Sequence, residues 1–237
     1  MGGSRDKATP PKPKPNPFLN PPADAGTPTE RPFMNPSHSR ATLPTIGTAL
    51  EGGFFGGVIR LGEALFAIAW APKAEGEHAG AAWLDGKSTD MAGARSCADS
   101  LGNTLALAEA GSTQAKWALG LRINGHDDWC LPARDVLELA YRHLKPTTYK
   151  TGAWFRDGDN PTSVPPGYPY ANGEPVVQTP VAAFQEGGAE AFEAAWYWSS
   201  TQYSANYAWN QLFDSGDQYH YVKSFKARAR AVRRFPA

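Results

Sequence analysis

The chain has few sulfur-containing residues, with two cysteines and three methionines among 237 residues. Cys97 and Cys130 lie in no CxxC motif and in no Cys/His cluster with the spacing of a zinc site. We therefore expect no structural metal and no cofactor. The sequence favours two reduced, buried thiols, because cysteine is often a small core residue, and leaves a Cys97–Cys130 disulfide as the alternative.

Net charge is also lacking, since 23 basic residues balance 23 acidic ones and the pI is about 7.0. A neutral chain has no long-range attraction for nucleic acid or for anionic membranes. No apolar run approaches the ~20 residues of a membrane span, and the N-terminus lacks an apolar signal region. We expect a protein without nucleic-acid binding or membrane insertion, made and kept in the cytoplasm until assembly or lysis.

What the chain does have is aromatic residues, at 12% with eight tryptophans. In the last forty residues, polar and tyrosine side chains alternate with a regular framework of Trp, Phe, Ala and Val. Tyr, Ser and Asn are typical of binding surfaces, because they give contact area and hydrogen bonds at low entropy cost. The interleaved residues, which we expect to be exposed, are Tyr203, Asn206, Tyr207, Asn210, Asp214, Ser215, Asp217, Tyr219, His220 and Tyr221.

Residues 1–47 have a different composition, with eleven of the 21 prolines and no Trp, Tyr or Cys. Proline fixes φ and disfavours helix at the preceding residue, so this segment is predicted to be extended and without a core of its own. It is either a solvated linker or an arm that lies along a partner. Its apolar residues favour the arm, with Phe18, Leu19, Phe33 and Met34 as anchors.

The remainder, residues 48–237, reads as one α+β domain. Strands are predicted at 54–60, 64–70, 195–200, 207–213, 217–223 and 227–234, from β-rich runs separated by turns. Helices are predicted from Ser88 or Thr89 to Leu101, over 112–119 and over 133–144, from apolar residues at helical spacing. Residues 146–190 are rich in Pro and Gly and predict a long loop, which inside a domain tends to be functional.

Several sequence blocks carry a family resemblance. Trp129-Cys-Leu-Pro-Ala-Arg-Asp-Val-Leu-Glu-Leu resembles the WRLPTRxEL segment of the DUF1566 family, and Tyr197-Trp-Ser-Ser-Thr and Arg228-Ala-Arg-Ala-Val-Arg-Arg resemble its closing motifs. Gly52-Gly-Phe-Phe-Gly-Gly-Val-Ile-Arg resembles the opening of its phage-encoded branch. The resemblance covers roughly residues 48–235. It implies a C-type-lectin-like fold, with short antiparallel sheets, two to three helices and a long loop excursion.

The same resemblance implies a class of function. Phage members of the family include the variable proteins of diversity-generating retroelements, whose varied side chains form the ligand face. Asn206 and Asn210 fit the adenine-rich codons on which that diversification acts. The interleaved set is then a binding surface, with an ordinary solvated sheet face as the alternative.

Two further sets of framework residues have a structural and a functional interpretation. Trp196, Trp198 and Trp209 are framework residues by resemblance, which predicts a core role, with contact to a sugar ring as the alternative. Arg228 and Arg230 alternate with alanines in the closing strand. They are expected to reach solvent or carboxylates such as Asp127, Asp128 or Glu138, more than to form a basic ligand row.

Calcium-dependent sugar binding and catalysis are both disfavoured. The strings nearest to the usual lectin calcium motifs, Glu174-Pro175-Val176 and Trp209-Asn210-Gln211, lose oxygen ligands that calcium needs. Formylglycine-generating enzymes share the fold and use a cysteine pair, but no acid–base dyad or nucleophile–His arrangement is evident here. The prediction is a non-enzymatic protein without a metal site.

Together these features predict a virion-associated protein of a phage or prophage. The arm would attach it to other virion proteins, and the domain would bind a host-surface protein or glycan, as a homo-oligomer for which a trimer is the expectation by analogy. Two alternatives stay open. One is a structural decoration or adaptor protein with a lectin-like spacer domain, and the other is the formylglycine-generating-enzyme-like oxidase.

Overall fold

The structure, a computed structural model, describes residues 43–86, 88–152 and 157–237. These residues form an α+β unit with two sheets and three helices of eight or more residues. The predicted anchors Phe18, Leu19, Phe33 and Met34 lie outside the described residues, so the arm stays a prediction.

Nine strands make up the two sheets. They are β1 (Ala49–Leu50), β2 (Gly53–Leu61), β3 (Ala64–Trp70), β4 (Glu77–Ala82), β5 (Trp196–Gln202), β6 (Tyr207–Leu212), β7 (Gln218–Val222), β8 (Lys226–Arg230) and β9 (Val232–Pro236).

The first sheet has the order β1-β2-β3-β9 and is antiparallel throughout. In it an early strand, β3, pairs with the last strand of the chain, β9. The second sheet has the order β4-β8-β5-β6-β7 and is mixed, because β5 and β8 run parallel. Strand β7 forms one edge of this second sheet. The hairpin formed by β6 and β7 at that edge carries most of the residues predicted to bind a ligand.

Four α-helices occur among the described residues, namely α1 (Lys73–Gly76), which leads from the first sheet to the second, and α2 (Ser100–Glu109), α3 (Thr113–Gly120) and α4 (Arg134–Leu144), which lie between β4 and β5. The predictions over 112–119 and 133–144 are confirmed. Helix α4 buries the apolar stripe that includes Val136, Leu137 and Ala140, in a core shared with Ile68 of the first sheet and Tyr197 of the second. Across residues 43–86, 88–152 and 157–237, no helix has the length and apolar character that crossing a bilayer requires.

The helix predicted from Ser88 or Thr89 to Leu101 is wrong. Met91, Ala94 and Ala98 are buried as the spacing suggested, but only a short 3₁₀ turn, Ala92–Ala94, precedes the true helix. Helix α2 begins at Ser100 because the Asp99 side chain accepts a hydrogen bond from the Gly102 amide at 3.1 Å. An N-cap of this kind satisfies an amide that has no partner within the helix, and so fixes where the helix starts.

The strand predictions hold at 54–60, 64–70, 207–213 and 217–223, whereas β1 and β4 had no clear signal. The strand predicted over 227–234 is divided at Ala231, which exchanges hydrogen bonds with Ala71 and Gly76 instead of a strand partner. The chain therefore passes from the second sheet to the first at this point. Over the described residues of the predicted loop, 146–152 and 157–190, the helical structure is limited to two short 3₁₀ turns, Tyr170–Asn172 and Ala182–Phe184, as expected for a long loop.

The arginines of β8 form ion pairs, as expected, but with other carboxylates than those suggested, and Arg228 is half-buried whereas Arg230 is fully buried. Arg228 contacts Glu77 at 2.9 Å, and the fully buried Arg230 pairs with Glu190. Asp128, one of the carboxylates suggested from the sequence as partners of the β8 arginines, pairs instead with Arg233 of β9. The alanines of β8 face a second core with Trp83 and Trp198.

Candidate functional site

The β6–β7 hairpin brings the predicted ligand residues to the edge of the second sheet. Its register pairs Tyr207 with Val222 and Trp209 with His220. The turn contains Gly216 at φ +84°, where an added Cβ would stand 2.4 Å from the ring of Tyr141. Glycine at this position lets the hairpin close against helix α4.

Five side chains form a continuous aromatic surface at this edge, which we call the His220 cluster. The imidazole of His220 stacks on Tyr203 with ring centroids 3.9 Å apart and on Tyr219 at 4.7 Å. Tyr207 and Trp209 meet the same imidazole edge-on, at 5.4 and 5.9 Å. Tyr203, Tyr207 and Tyr219 are 45%, 37% and 52% exposed. The sequence-based expectation of exposure is therefore confirmed for these three tyrosines.

The cluster is uncharged at neutral pH. Partial burial among the rings lowers the pKa of His220, so the imidazole is neutral at pH 7. Arg134, at the start of α4, places its guanidinium 4.9 Å from the centre of the Trp209 ring. A cation over an indole face is attracted by its quadrupole. The Arg134 guanidinium thus stabilises the position of the Trp209 ring.

A polar layer lies next to Arg134 and was not identified from the sequence. Arg134 donates to the Gln218 side-chain oxygen at 3.1 Å, and the same oxygen accepts from the Gly158 amide at 3.2 Å. Asp157 is 4% exposed, and burial, followed by the charge of Asp217, raises its pKa to about 6. Asp157 and Gly158 form a turn.

Replacing Asp157 with asparagine should stabilise the fold, and more so as the pH rises. The ordinary pKa is 3.8 and the folded pKa about 6, so the folded state binds more protons and loses stability as pH rises between these values. Asparagine does not ionise. We expect the stability gain to widen by about 1–2 kcal/mol between pH 4.5 and 7.5 in urea unfolding. A gain of equal size at both pH values would contradict this account.

Asn206 is exposed and lies beside a cavity of about 360 Å³. Its side-chain oxygen contacts the hydroxyl of Ser88, and Tyr207 and Ser224 also line the cavity. Lys223 forms part of the wall, but its ammonium donates inward to Thr89 and Gln202, and burial lowers its pKa to about 8. The cavity therefore adds hydroxyl and amide groups next to the His220 cluster.

Asp214, Ser215 and Asp217 form the turn of the hairpin, and their expected common exposure is wrong for Ser215. Ser215 is 8% exposed because its carbonyl accepts a hydrogen bond from Gly152 of the long loop at 2.7 Å. Its hydroxyl donates to Asp217 at 3.0 Å. Asp214 and Asp217 are half-buried. Ser215 thus helps to attach the long loop to the hairpin.

Asn210 and Tyr221 lie on the other face of the sheet, so the predicted residues do not share one surface. Side chains of neighbouring residues in a strand point to opposite faces, which separates Asn210 from Trp209, and Tyr221 from His220. Asn210 is 2% exposed, so the expectation that it is exposed is wrong, and Tyr221 is half-buried. Tyr219 starts on the same face as Tyr221, because the register pairs it with Asn210, and its ring lies 5.6 Å from that of Tyr221. The Tyr219 ring nevertheless stacks on His220, so it connects the two faces around the edge strand.

Two of the three framework tryptophans are less buried than the resemblance implied. Trp198 is fully buried and donates to the Ala81 carbonyl at 3.1 Å. Trp196 and Trp209 are half-buried, one on each face of the sheet. The core role is therefore confirmed for Trp198 alone, and the other two are available to a ligand.

Metal and thiol chemistry find little support at this site. In the part of the chain that the structure describes, no group of three His, Cys, Asp or Glu side chains could hold a metal ion. Cys130 is buried, is in no disulfide, and lies 3.5 Å from the Val232 carbonyl, and burial raises its pKa to about 12. A thiol with so high a pKa is a poor nucleophile.

No protein-family model and no curated protein matches this chain. The family resemblance therefore depends on the sequence motifs, and the candidate site on its geometry. Of the residues at the site, Arg134, Asp157 and Gln218 were not predicted. Only their proximity in the fold identifies them, because they come from a helix, a loop and a strand that are far apart in the sequence.

Proposed function

We propose that this protein is a phage virion component whose C-type-lectin-like domain binds a host-surface ligand, protein or glycan, through the His220 cluster. The N-terminal arm would attach it to other virion proteins, and the assembly would be a homotrimer. The protein acts by binding and not by catalysis.

The observation that carries this proposal is the exposure of the aromatic rings around His220. Tyrosine and tryptophan are enriched among the residues that contribute most to binding, because they bury large areas at low entropy cost. The hydroxyls of Tyr203, Tyr207 and Tyr219 bond to no other group that the structure describes, so they can bond to a ligand. An uncharged, rigid and hydroxyl-bearing surface is suited to recognition.

The architecture supports the lectin-like part of the proposal. The pairing of β3 with β9 and the long loop at 145–195 are both expected of that fold. The three motifs occupy defined places, since the first leads into α4, the second forms β5 and the third forms β8 and β9. A resemblance of fold alone does not establish a function, so binding has to be tested directly.

The test is the attachment of the fluorescently labelled full chain to a panel of bacterial cells. On cells that bind the wild type, His220→Ala should weaken binding by about 10-fold, because it removes the ring that four others contact. The control is His126→Ala, whose side chain is 28% exposed and lies near Glu51, away from the cluster. Equal loss in both variants, or binding to no cell by the wild type, would favour the adaptor protein instead.

A further inference from the structure

Asn210 is a buried amide without a hydrogen-bond partner. It is 2% exposed, and neither its side-chain nitrogen nor its oxygen bonds to any group that the structure describes. Buried polar side chains in native proteins are nearly always paired, so each exception calls for an explanation. By contrast, the buried Asn103 is fully used, with bonds to both the amide and the carbonyl of Ser96.

Two aromatic rings meet above Asn210. Trp196 comes from β5 and is paired with Leu212, two residues after Asn210 on β6. Tyr221 comes from β7, on the other side of β6, and is paired with Ala208, two residues before Asn210. All of them belong to the same face of the sheet as Asn210. The rings nevertheless approach to 5.2 Å between centroids, edge to face. In this register the diagonal from Trp196 to Tyr221 crosses β6 at Asn210.

This aromatic cover can open from the side of the edge strand. Tyr221 lies on β7, is half-buried, and its hydroxyl bonds to no described group; it also stacks on Phe225, which is 36% exposed. Trp196 is half-buried as well. Exposed side chains change rotamer within nanoseconds. The neighbouring Trp198, held by its bond to Ala81, would stay in place.

We propose that Asn210 is a concealed specificity residue, which is uncovered when the ligand separates the rings of Trp196 and Tyr221. This inference rests on the proposed function. A side-chain amide presents a donor beside an acceptor, so its complement is a ligand group that offers both, as a secondary amide does. Such a group occurs in a peptide backbone and in the N-acetyl group of an amino sugar.

The unpaired state of Asn210 gives the proposal a distinctive test. Asn210→Leu removes an unsatisfied amide and fills a similar shape with apolar atoms, a change that is neutral or stabilising when no bond is lost. We expect an unchanged or higher Tm together with at least 10-fold weaker attachment to cells. The control, Asn103→Leu, breaks satisfied bonds and should lower the Tm. Asn210→Val, which is smaller, repeats the test if leucine proves too large.

Two arms of the experiment separate the sources of the amide. If the ligand is a peptide, treating the cells with proteinase K abolishes attachment of the wild type. If it is an amino sugar, 100 mM N-acetylglucosamine competes and 100 mM glucose does not. If neither treatment has an effect, the amide assignment is overturned.

The outcomes also distinguish this inference from the function on which it rests. The concealed role is overturned if Asn210→Leu and Asn210→Val bind cells as the wild type does, while replacement of the exposed tyrosines abolishes binding. If replacement of the tyrosines leaves binding intact, the proposed function itself fails.

Discussion

Replacing Tyr203, Tyr207 and Tyr219 together with alanine should reduce attachment to cells by about 100-fold and leave the fold intact. Each ring is a third to a half exposed and contacts His220, so the three form the outer part of the cluster. Single residues of this kind contribute 2 kcal/mol or more at the centre of an interface, though not additively. A combined loss of about 3 kcal/mol corresponds to that factor.

The control for this triple variant is the double variant Tyr149→Ala, Tyr168→Ala. These tyrosines are 63% and 69% exposed and lie on the long loop, outside the cluster. They match the three in residue type and are more exposed, so a general loss of tyrosine surface would affect both variants. Attachment is measured by flow cytometry and folding by thermal unfolding. Wild-type attachment by a folded triple variant would remove the basis for the proposed function.

Arg230→Ala should destabilise the domain by about 3–5 kcal/mol, the usual result of breaking a buried ion pair. The Arg230 side chain is fully buried and donates to the carbonyls of Ala71 and Glu190 and to the Glu190 carboxylate. Its guanidinium also lies 4.9 Å from the centre of the Phe192 ring. Alanine would remove the arginine donor from three acceptors, of which the Glu190 carboxylate keeps a bond from the Lys73 amide, and would leave a void beside an aromatic ring.

Urea unfolding measures this effect, with Arg95→Ala as the control. Arg95 pairs with Asp90, but both side chains are more than half exposed, and exposed ion pairs contribute little to stability. Arg230→Met keeps much of the side-chain volume but none of the hydrogen bonds. Its loss of unfolding free energy should fall between those of Arg230→Ala and Arg95→Ala, which separates the loss of packing from the loss of hydrogen bonds. A similar small effect in Arg230→Ala and Arg95→Ala would mean that the buried pair does not hold the sheets together.

How far the sequence predicts this site depends on the range of the interactions involved. The interleaving of tyrosines with framework residues correctly predicted the exposure of Tyr203, Tyr207 and Tyr219, since the order of residue types is a local property of the sequence. It could not separate Tyr221 and Asn210 from the His220 cluster, because assignment to a face requires knowing which side of the sheet is covered. It also missed Asp157 and Arg134, which contact the hairpin only through the fold.

The sequence by itself determined the α+β class, helices α3 and α4, the long loop and an aromatic C-terminal sheet. These follow from periodicity, composition and turn residues, all of which act over a few positions. Tertiary structure alone decided that Arg230 is buried, that the closing strand changes sheet at Ala231, and that Asn210 lies unpaired beneath two rings. Each of these depends on contacts between residues distant in the chain, whose free energy is set by burial and register and not by local preference.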